Sequence, residues 1–280
     1  MVPAPQNAPW SPSGIVTLTT DFGLVDAYVG IMKGVMHAIA VEQGAPLLEL
    51  VDLTHSLPPQ AVAAGAFQLQ HAWQRFPTGS VHLAVVDPGV GSERGSLVCT
   101  VGGHAFVAPD NGLLGPILAA AGAEARCYRL DVERFRGAEL SRTFHGRDLY
   151  APTAARLALG LDPATAGPQT EAWVPLAFPR PVPGPEGELV CQVLLCDGFG
   201  NLVTSARAED LEGPPEDWVC EIGASRFPLA GTYAEGTPGQ LLALVDSFGY
   251  WEVAVRDGDA ASRLAAAPGS PVVFRHKARE

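Results

Sequence analysis

Apolar and polar positions follow two rhythms along the first half of this chain. The run Ile15–Thr20 is short and rich in β-branched residues, which predicts a strand, and it stops at Asp21-Phe22-Gly23. From Asp26 the rhythm changes, and Val29, Met32, Val35, Met36 and Ile39 recur at helical spacing. Gly30 and Gly34 sit inside that helix at a propensity cost, which points to close packing on a sheet. Residues 47–53 predict the next strand. Pro58 and Pro59 can open a second, Ala-rich helix, where a missing N–H is harmless, and Pro77-Thr78-Gly79 ends it after Phe76.

Residues 81–86 form a continuous apolar run, the pattern of a strand buried on both faces of a parallel sheet. It gives way abruptly to Asp87-Pro88-Gly89-Val90-Gly91. Strands are expected at 97–101 and 105–108, then a turn at Asp110-Asn111-Gly112, and helices at 113–121 and 148–159. Strands alternating with helices predict an α/β domain over residues 1–165, with helices on both faces of its sheet.

The texture then changes. Residues 160–187 contain seven prolines, too many for an element interior, and 166–187 read as a semi-extended linker. Beyond it only strands are expected: Leu189–Cys196, 202–206, Trp218–Ile222, 240–245, Tyr250–Val255 and 271–274. Short strands with Gly, Pro and Asp turns predict a smaller all-β domain over 188–280.

Composition narrows the possible partners. Hydrophobic residues make up 47% of the 280 and charged ones 17%, as in a compact, ordered protein. The net charge is −12 and no Lys/Arg cluster could track a phosphate backbone, which argues against nucleic acid. The five cysteines are odd in number, widely spaced and without a CxxC pair. Neither zinc nor a disulfide framework is favoured, and five buried thiols in a reducing cytoplasm are expected. The start, MVPAPQNAPWSPSG, lacks the apolar core of a signal peptide, and no segment has the length of a membrane span.

Ligands of open parallel sheets bind beyond the carboxyl ends of the strands. Asp21 and Asp87 each follow a strand there, although an acidic side chain can equally cap the next turn. Asp87 belongs to DPGVGSERG, where glycines permit close backbone approach and Arg94 can fold back onto the carboxylate. An Arg–Asp pair that only fixes the loop fits the same residues. The phosphate-loop order and its Lys are absent. His145 lies in Thr143-Phe144-His145-Gly146-Arg147-Asp148, just before a predicted helix that Asp148 could serve. Among the expected strands, Asp197-Gly198-Phe199-Gly200-Asn201 and Asp246-Ser247-Phe248-Gly249-Tyr250 are hairpin turns that also set a polar group beside an aromatic ring, which suits a purine. No HExxH or carboxylate–His spacing argues for a metal, and no cofactor is expected.

The ordered set TTDFG, VDPGVG…R, PDNG, TFHGRD, DGFGN and DSFGY resembles the S-adenosylmethionine hydrolase family, also called S-adenosylmethionine hydroxide adenosyltransferases. The resemblance runs from about residue 15 to 275. It implies hydrolysis of S-adenosylmethionine to adenosine and L-methionine. It also implies a homotrimer whose ligand sites lie where one subunit's N-terminal domain meets a neighbour's C-terminal domain. The family's catalytic Asp–Arg–His set falls on Asp87, Arg94 and His145. Asp21 matches the ribose-binding Asp, Asn201 the adenine-recognising Asn, and Asp197 the carboxylate near the methionine amine. Ser247 matches a Ser at the methionine part, and Tyr233 sits where an aromatic ring meets the adenine. Phe144, Phe199, Glu252 and the backbone beside Val255 are counted with the same pocket. The related fluorinating and chlorinating enzymes carry Tyr where this chain has Asp87, and Ser where it has Gly146. A carboxylate beside a halide site is costly in a dry pocket, so water is the expected nucleophile.

On that resemblance His145 is expected to be base or proton relay, because a neutral imidazole can accept a proton near neutrality. Asp87 and Arg94 are expected to position the water, Arg94 being unable to act as a base. A captured hydroxide remains open beside this. The alternatives are a non-catalytic adenosine or S-adenosylmethionine sensor and a halide-using relative.

Overall fold

The computed structural model describes residues 10–137 and 139–277, so most of the Pro-rich start lies outside the described residues. The chain divides into two compact units, Met1–Ala177 and Phe178–Glu280. The division falls inside the Pro-rich segment. Both ends of that segment carry short paired strands, one in each unit.

The first unit contains strands β1 (Ile15–Thr20), β2 (Glu49–Thr54), β3 (Val81–Val85), β4 (Ser96–Val101), β5 (His104–Pro109), β6 (Arg126–Arg129) and β7 (Gln169–Thr170). Its helices are α1 (Tyr28–Glu42), α2 (Val62–Ala72), α3 (Gly115–Ala121), α4 (Val132–Phe135) and α5 (Ala151–Ala158). The strands form one sheet in the order β2-β1-β3-β5-β4-β6-β7. Alternation along β1 sends Val16 and Leu18 to the face where Met32 and Met36 of α1 and Ala151, Ala154 and Ala155 of α5 pack. Trp73, directly after α2, packs edge-on against Phe106 of β5 on the other face. Every residue of β3 is buried, with His82 standing among four apolar side chains.

Only half of this sheet is parallel. Strands β2, β1, β3 and β5 run together, whereas β4, β6 and β7 pair antiparallel. The reason lies in Gly102-Gly103, both at positive φ (57° and 80°), which close β4 and β5 into a two-residue hairpin. Such a turn permits no parallel crossover.

Two helix starts differ from expectation. Pro58 and Pro59 do not open α2, because Gln60 takes a left-handed φ of 65° and the helix begins at Val62. The segment expected as a helix over 148–159 starts instead as a π turn, Gly146–Tyr150, before α5. Pro152 lacks the N–H that an α-helix would give to the Asp148 carbonyl. That carbonyl accepts from Gly137 N at 2.8 Å instead.

The second unit contains β8 (Val182–Pro183), β9 (Leu189–Cys196), β10 (Leu202–Arg207), β11 (Trp218–Ile222), β12 (Ser225–Pro228), β13 (Leu241–Val245), β14 (Tyr250–Val255) and β15 (Pro271–His276), with the helix α6 (Ala260–Leu264). Its main order is β12-β11-β15-β9-β10-β14-β13. The two outer strands meet through Leu229 and Ala243, where Ala230 N donates to Ala243 O at 2.8 Å, so the sheet nearly closes into a barrel. Val193, Leu202, Cys220, Phe227, Val253 and Phe274 fill it.

Four cysteines are buried thiols, but Cys196, at the end of β9, is exposed. Among the described residues no helix is long and apolar enough to cross a membrane.

Candidate active site

Strands β1 and β3 are parallel neighbours with Thr20 opposite Val85, so the residues that follow them emerge at one edge. Asp21 and Asp87 therefore leave the sheet side by side. The end of β3 is pinned by Asn111, whose Nδ2 donates to Val86 O at 2.8 Å while its Oδ1 accepts from Leu113 N at 3.2 Å. The PDNG segment is thus a clamp beside Asp87. Asp110 of the same segment accepts from Val174 N at 2.8 Å.

The loop after β3 folds back and Arg94 grips Asp87 with two donors. Nε donates to Oδ1 at 2.6 Å, and Nη2 contacts Oδ2. Their side chains are only 11% and 5% exposed, so removing either one leaves an uncompensated buried charge. Arg94 Nη2 also lies 3.2 Å from His145 Nδ1. Asp87, Arg94 and His145 are therefore one connected set. Burial, and then the Arg94 charge, push the His145 imidazole below its ordinary value, with Asp87 and Asp148 pulling the other way. A cleft of about 240 Å³ opens here, lined by Arg94, Ser96, His145, Ser141, Arg142 and Leu149.

Aromatic contacts bring the TTDFG and TFHGRD loops together. Phe144 packs edge-on against Phe22 at 6.0 Å and Tyr28 at 5.2 Å between ring centroids. Gly146 lies under this cluster. A Cβ there would approach Met32 Sδ to 3.1 Å and the Phe144 and Phe22 rings to 3.2 Å. Asp21 accepts from Gln60 N at 2.7 Å through Oδ2. Asp148 fixes its own loop by pairing with Arg147 and accepting from Ser141 N at 2.8 Å.

The second unit gathers the remaining residues. Asp197 Oδ1 accepts from Phe199 N at 2.8 Å and Asn201 N at 2.9 Å, and its Oδ2 accepts from Asn201 Nδ2 at 3.0 Å. Asp246 closes its turn in the same way, with Phe248 N at 2.8 Å and Tyr250 N at 2.9 Å, and Ser247 is exposed in that turn. Tyr233 donates its hydroxyl to the buried Glu252. Burial pushes the Glu252 carboxyl up, Tyr233 opposes the shift, and Asp197 and Asp246 add to it. Phe199 is 82% exposed and Tyr233 45%, which leaves aromatic surface for a ligand. The Val255 side chain is core, so only its backbone could serve a ligand.

Two residues near the set escaped sequence reasoning. Ser96 Oγ accepts from Arg94 Nη1 at 3.2 Å, and Tyr150 OH lies 3.0 Å from the same oxygen. Ser96 follows SERG directly, yet a serine opening a strand carries no pattern of its own. Tyr150 reaches the site only because of the π turn. Among the described residues no group of three His, Cys, Asp or Glu side chains is arranged to hold a metal.

Residues 16–167 match the family model of the SAM hydroxide adenosyltransferase N-terminal domain, and residues 191–273 match that of its C-terminal domain. A protein of Salinispora tropica named (R)-S-adenosyl-L-methionine hydrolase is 39% identical over 92% of this chain and 97% of its own length. One of the same name from Thermus thermophilus is 40% identical over 92% and 98%. A fluorinase of Actinopolyspora mzabensis is more distant, at 26% identity. The crystal structure of an uncharacterized conserved protein from Thermotoga maritima superposes with a TM-score of 0.82 at 32% identity, covering 93% of this chain and 99% of that one. With both domains matched in order and relatives of this identity along nearly its whole length, the chain belongs to the SAM hydroxide adenosyltransferase family.

Proposed function

We propose that this chain hydrolyses S-adenosyl-L-methionine to adenosine and L-methionine, with Asp87, Arg94 and His145 preparing the attacking water. The observation that carries this reading is the connected, largely buried Asp87–Arg94–His145 set beside a cleft in a chain of this family. Water or hydroxide oxygen bonds to the ribose 5′ carbon opposite sulfur. The carbon–sulfur pair leaves with sulfur, the sulfonium becomes a neutral thioether, and the surplus proton passes to solvent. Hydroxide and sulfonium neutralise each other along this path, so exclusion of bulk water strengthens their attraction.

Asp87 accepts a hydrogen bond from the water through the lone pairs that Arg94 leaves open, and Arg94 holds that carboxylate in one orientation. Asp21 takes the ribose hydroxyls, with the Phe144 cluster beside it. Asn201 takes the adenine edge and Tyr233 and Phe199 its faces, with Glu252 fixing Tyr233. Asp197 takes the methionine ammonium, and Ser247 and the backbone at Val255 complete the contacts. A homotrimer is the assembly that the resemblance implies, and light scattering on the purified protein tests it. A reducing cytoplasm is the compartment in which five unpaired thiols persist.

The deciding experiment incubates the protein with S-adenosylmethionine in chloride-free buffer and quantifies the products. Equimolar adenosine and methionine above background are expected. Bound nucleoside without turnover points to a sensor. A chloride-dependent 5′-chloro nucleoside points to a halide-using enzyme, which Asp87 disfavours by charge.

A further inference from the structure

Arg94 has a donor inventory that can be accounted for completely. A guanidinium carries five N–H groups and no acceptor. In this structure Nε and one N–H of Nη2 go to the Asp87 carboxylate. The two N–H groups of Nη1 go to Gly95 O at 3.1 Å and Ser96 Oγ at 3.2 Å. The last, on Nη2, faces His145 Nδ1 at 3.2 Å. Because the guanidinium can only donate, His145 Nδ1 must accept, and a neutral imidazole in that role keeps its proton on Nε2. The Nε2 edge has no partner among the described residues, and His145 lines the cleft.

Asp87 holds the Nε and Nη2 side of Arg94, and Ser96 with Gly95 O holds the Nη1 side. The Ser96 hydroxyl stands between Arg94 Nη1 and Tyr150 OH, which is 3.0 Å away, and both Ser96 and Tyr150 are buried. Tyr150 is the fifth residue after His145. In an α-helix it would lie about 140° round the axis from His145. The Gly146–Tyr150 π turn carries it back to the same side, with its ring edge-on to the imidazole at 6.5 Å and under the Arg94 guanidinium at 5.7 Å. Burial keeps the Tyr150 hydroxyl protonated, so it can donate to Ser96.

We propose that Ser96, held by Tyr150, is a positioning residue that fixes the roll of Arg94 and thereby presents His145 to the cleft as an Nε2–H donor. The proposal rests on the hydrolase reading and sharpens it. His145 has its Nδ1 lone pair engaged and its Nε2 already protonated, so it has no free site for a proton from water. It donates to the attacking oxygen instead. The expectation of His145 as base is therefore reversed. The proton of water goes to Asp87 or is already absent in a captured hydroxide. With every Arg94 donor engaged, Arg94 orients its neighbours and does not bind the nucleophile directly.

The test compares the wild type with Ser96→Ala, Ser96→Thr and Tyr150→Phe, each checked for an unchanged fold by circular dichroism. Nitrogen-15 NMR of the labelled imidazoles reads the tautomer, with the His145 signal assigned through His145→Asn. The wild type is expected to hold one tautomer, Nε2–H. Ser96→Ala is expected to populate Nδ1–H and to lose about fivefold in kcat with KM little changed, since one hydrogen bond of about 1 kcal/mol is removed. Tyr150→Phe should move both readouts in the same direction, and Ser96→Thr, which keeps the hydroxyl, should restore them. A wild-type Nδ1–H tautomer overturns the proposal. So does a Ser96→Ala protein that keeps tautomer and kcat, or that loses kcat with the tautomer unmoved. Absence of turnover in the wild type sinks the hydrolase reading alone, because the tautomer is measured without substrate.

Discussion

Asn111 Nδ2 donates to the main-chain carbonyl of Val86 at 2.8 Å, and that carbonyl is the last one before Asp87. The bond ties the start of the Asp87 loop to the turn that precedes α3. It sets the direction in which the carboxylate leaves β3, ahead of any contact with Arg94.

Replacement of Asn111 by Ala should therefore act at two levels. Leaving the Val86 carbonyl unpartnered costs about 1–3 kcal/mol of stability. A loosened Asp87 should lower kcat more than it raises KM. Urea unfolding and steady-state kinetics check the two effects, and a variant with normal kcat removes the clamp from the account.

Asp87→Asn keeps the shape of the side chain and removes its charge. Arg94 then lacks its buried counter-ion, and the water loses its anionic acceptor. A fall in kcat of about 10²–10⁴ is expected, the range of acid–base groups. A loss confined to KM would place Asp87 in substrate binding only.

His145 should titrate below about 6.5, its ordinary value, because burial and the Arg94 charge disfavour the imidazolium. The neutral ring is the form that accepts from Arg94, so activity should be lost as pH falls through that lowered value. Asp87 pulls the value up. In Asp87→Asn the His145 titration should therefore move to still lower pH. Proton NMR titration checks both, and a midpoint above 6.5 in the wild type refutes them.

Far from the site, His82 is buried between Thr17 Oγ1 at 2.8 Å and His104 Nδ1 at 3.1 Å. Burial, and then His104, push its value down to about 3. For a lowered imidazole the sign is definite. The stability is fully present above the unfolded value of about 6.5 and is lost as pH falls from there toward 3. Urea midpoints should decline over that window in the wild type and less steeply in His82→Phe. Equal slopes would exclude His82 as the cause.

Gly146→Ser adds a Cβ within 3.1–3.2 Å of Met32 and the Phe144 and Phe22 rings, tighter than side chains normally pack. The resemblance implies Ser at this place in halide-using enzymes, yet here the Asp87 charge remains. The variant should be less stable, hydrolyse more slowly and form no 5′-chloro nucleoside in chloride. Chromatography of the products decides, and a chlorinated product would show that Asp87 is no barrier.

The local pattern of the chain determined much by itself. Ile15–Thr20, Leu189–Cys196, Trp218–Ile222 and Tyr250–Val255 are strands with the bounds that their apolar rhythm sets, because side-chain alternation and turn residues are local properties. Asp87 and Arg94 share one loop and His145 lies in another, so the sequence could name them as candidates but could not join them. What tertiary structure alone decided was partnership. Leu229 met Ala243 to draw the outer strands of the second sheet together, and Gln60 displaced the start of α2. Pro152 freed the Asp148 carbonyl for Gly137, and the π turn then set Tyr150 against Ser96. These depend on which distant backbone group meets which side chain. Only a folded chain supplies those contacts, and they also determine which nitrogen of His145 carries its proton.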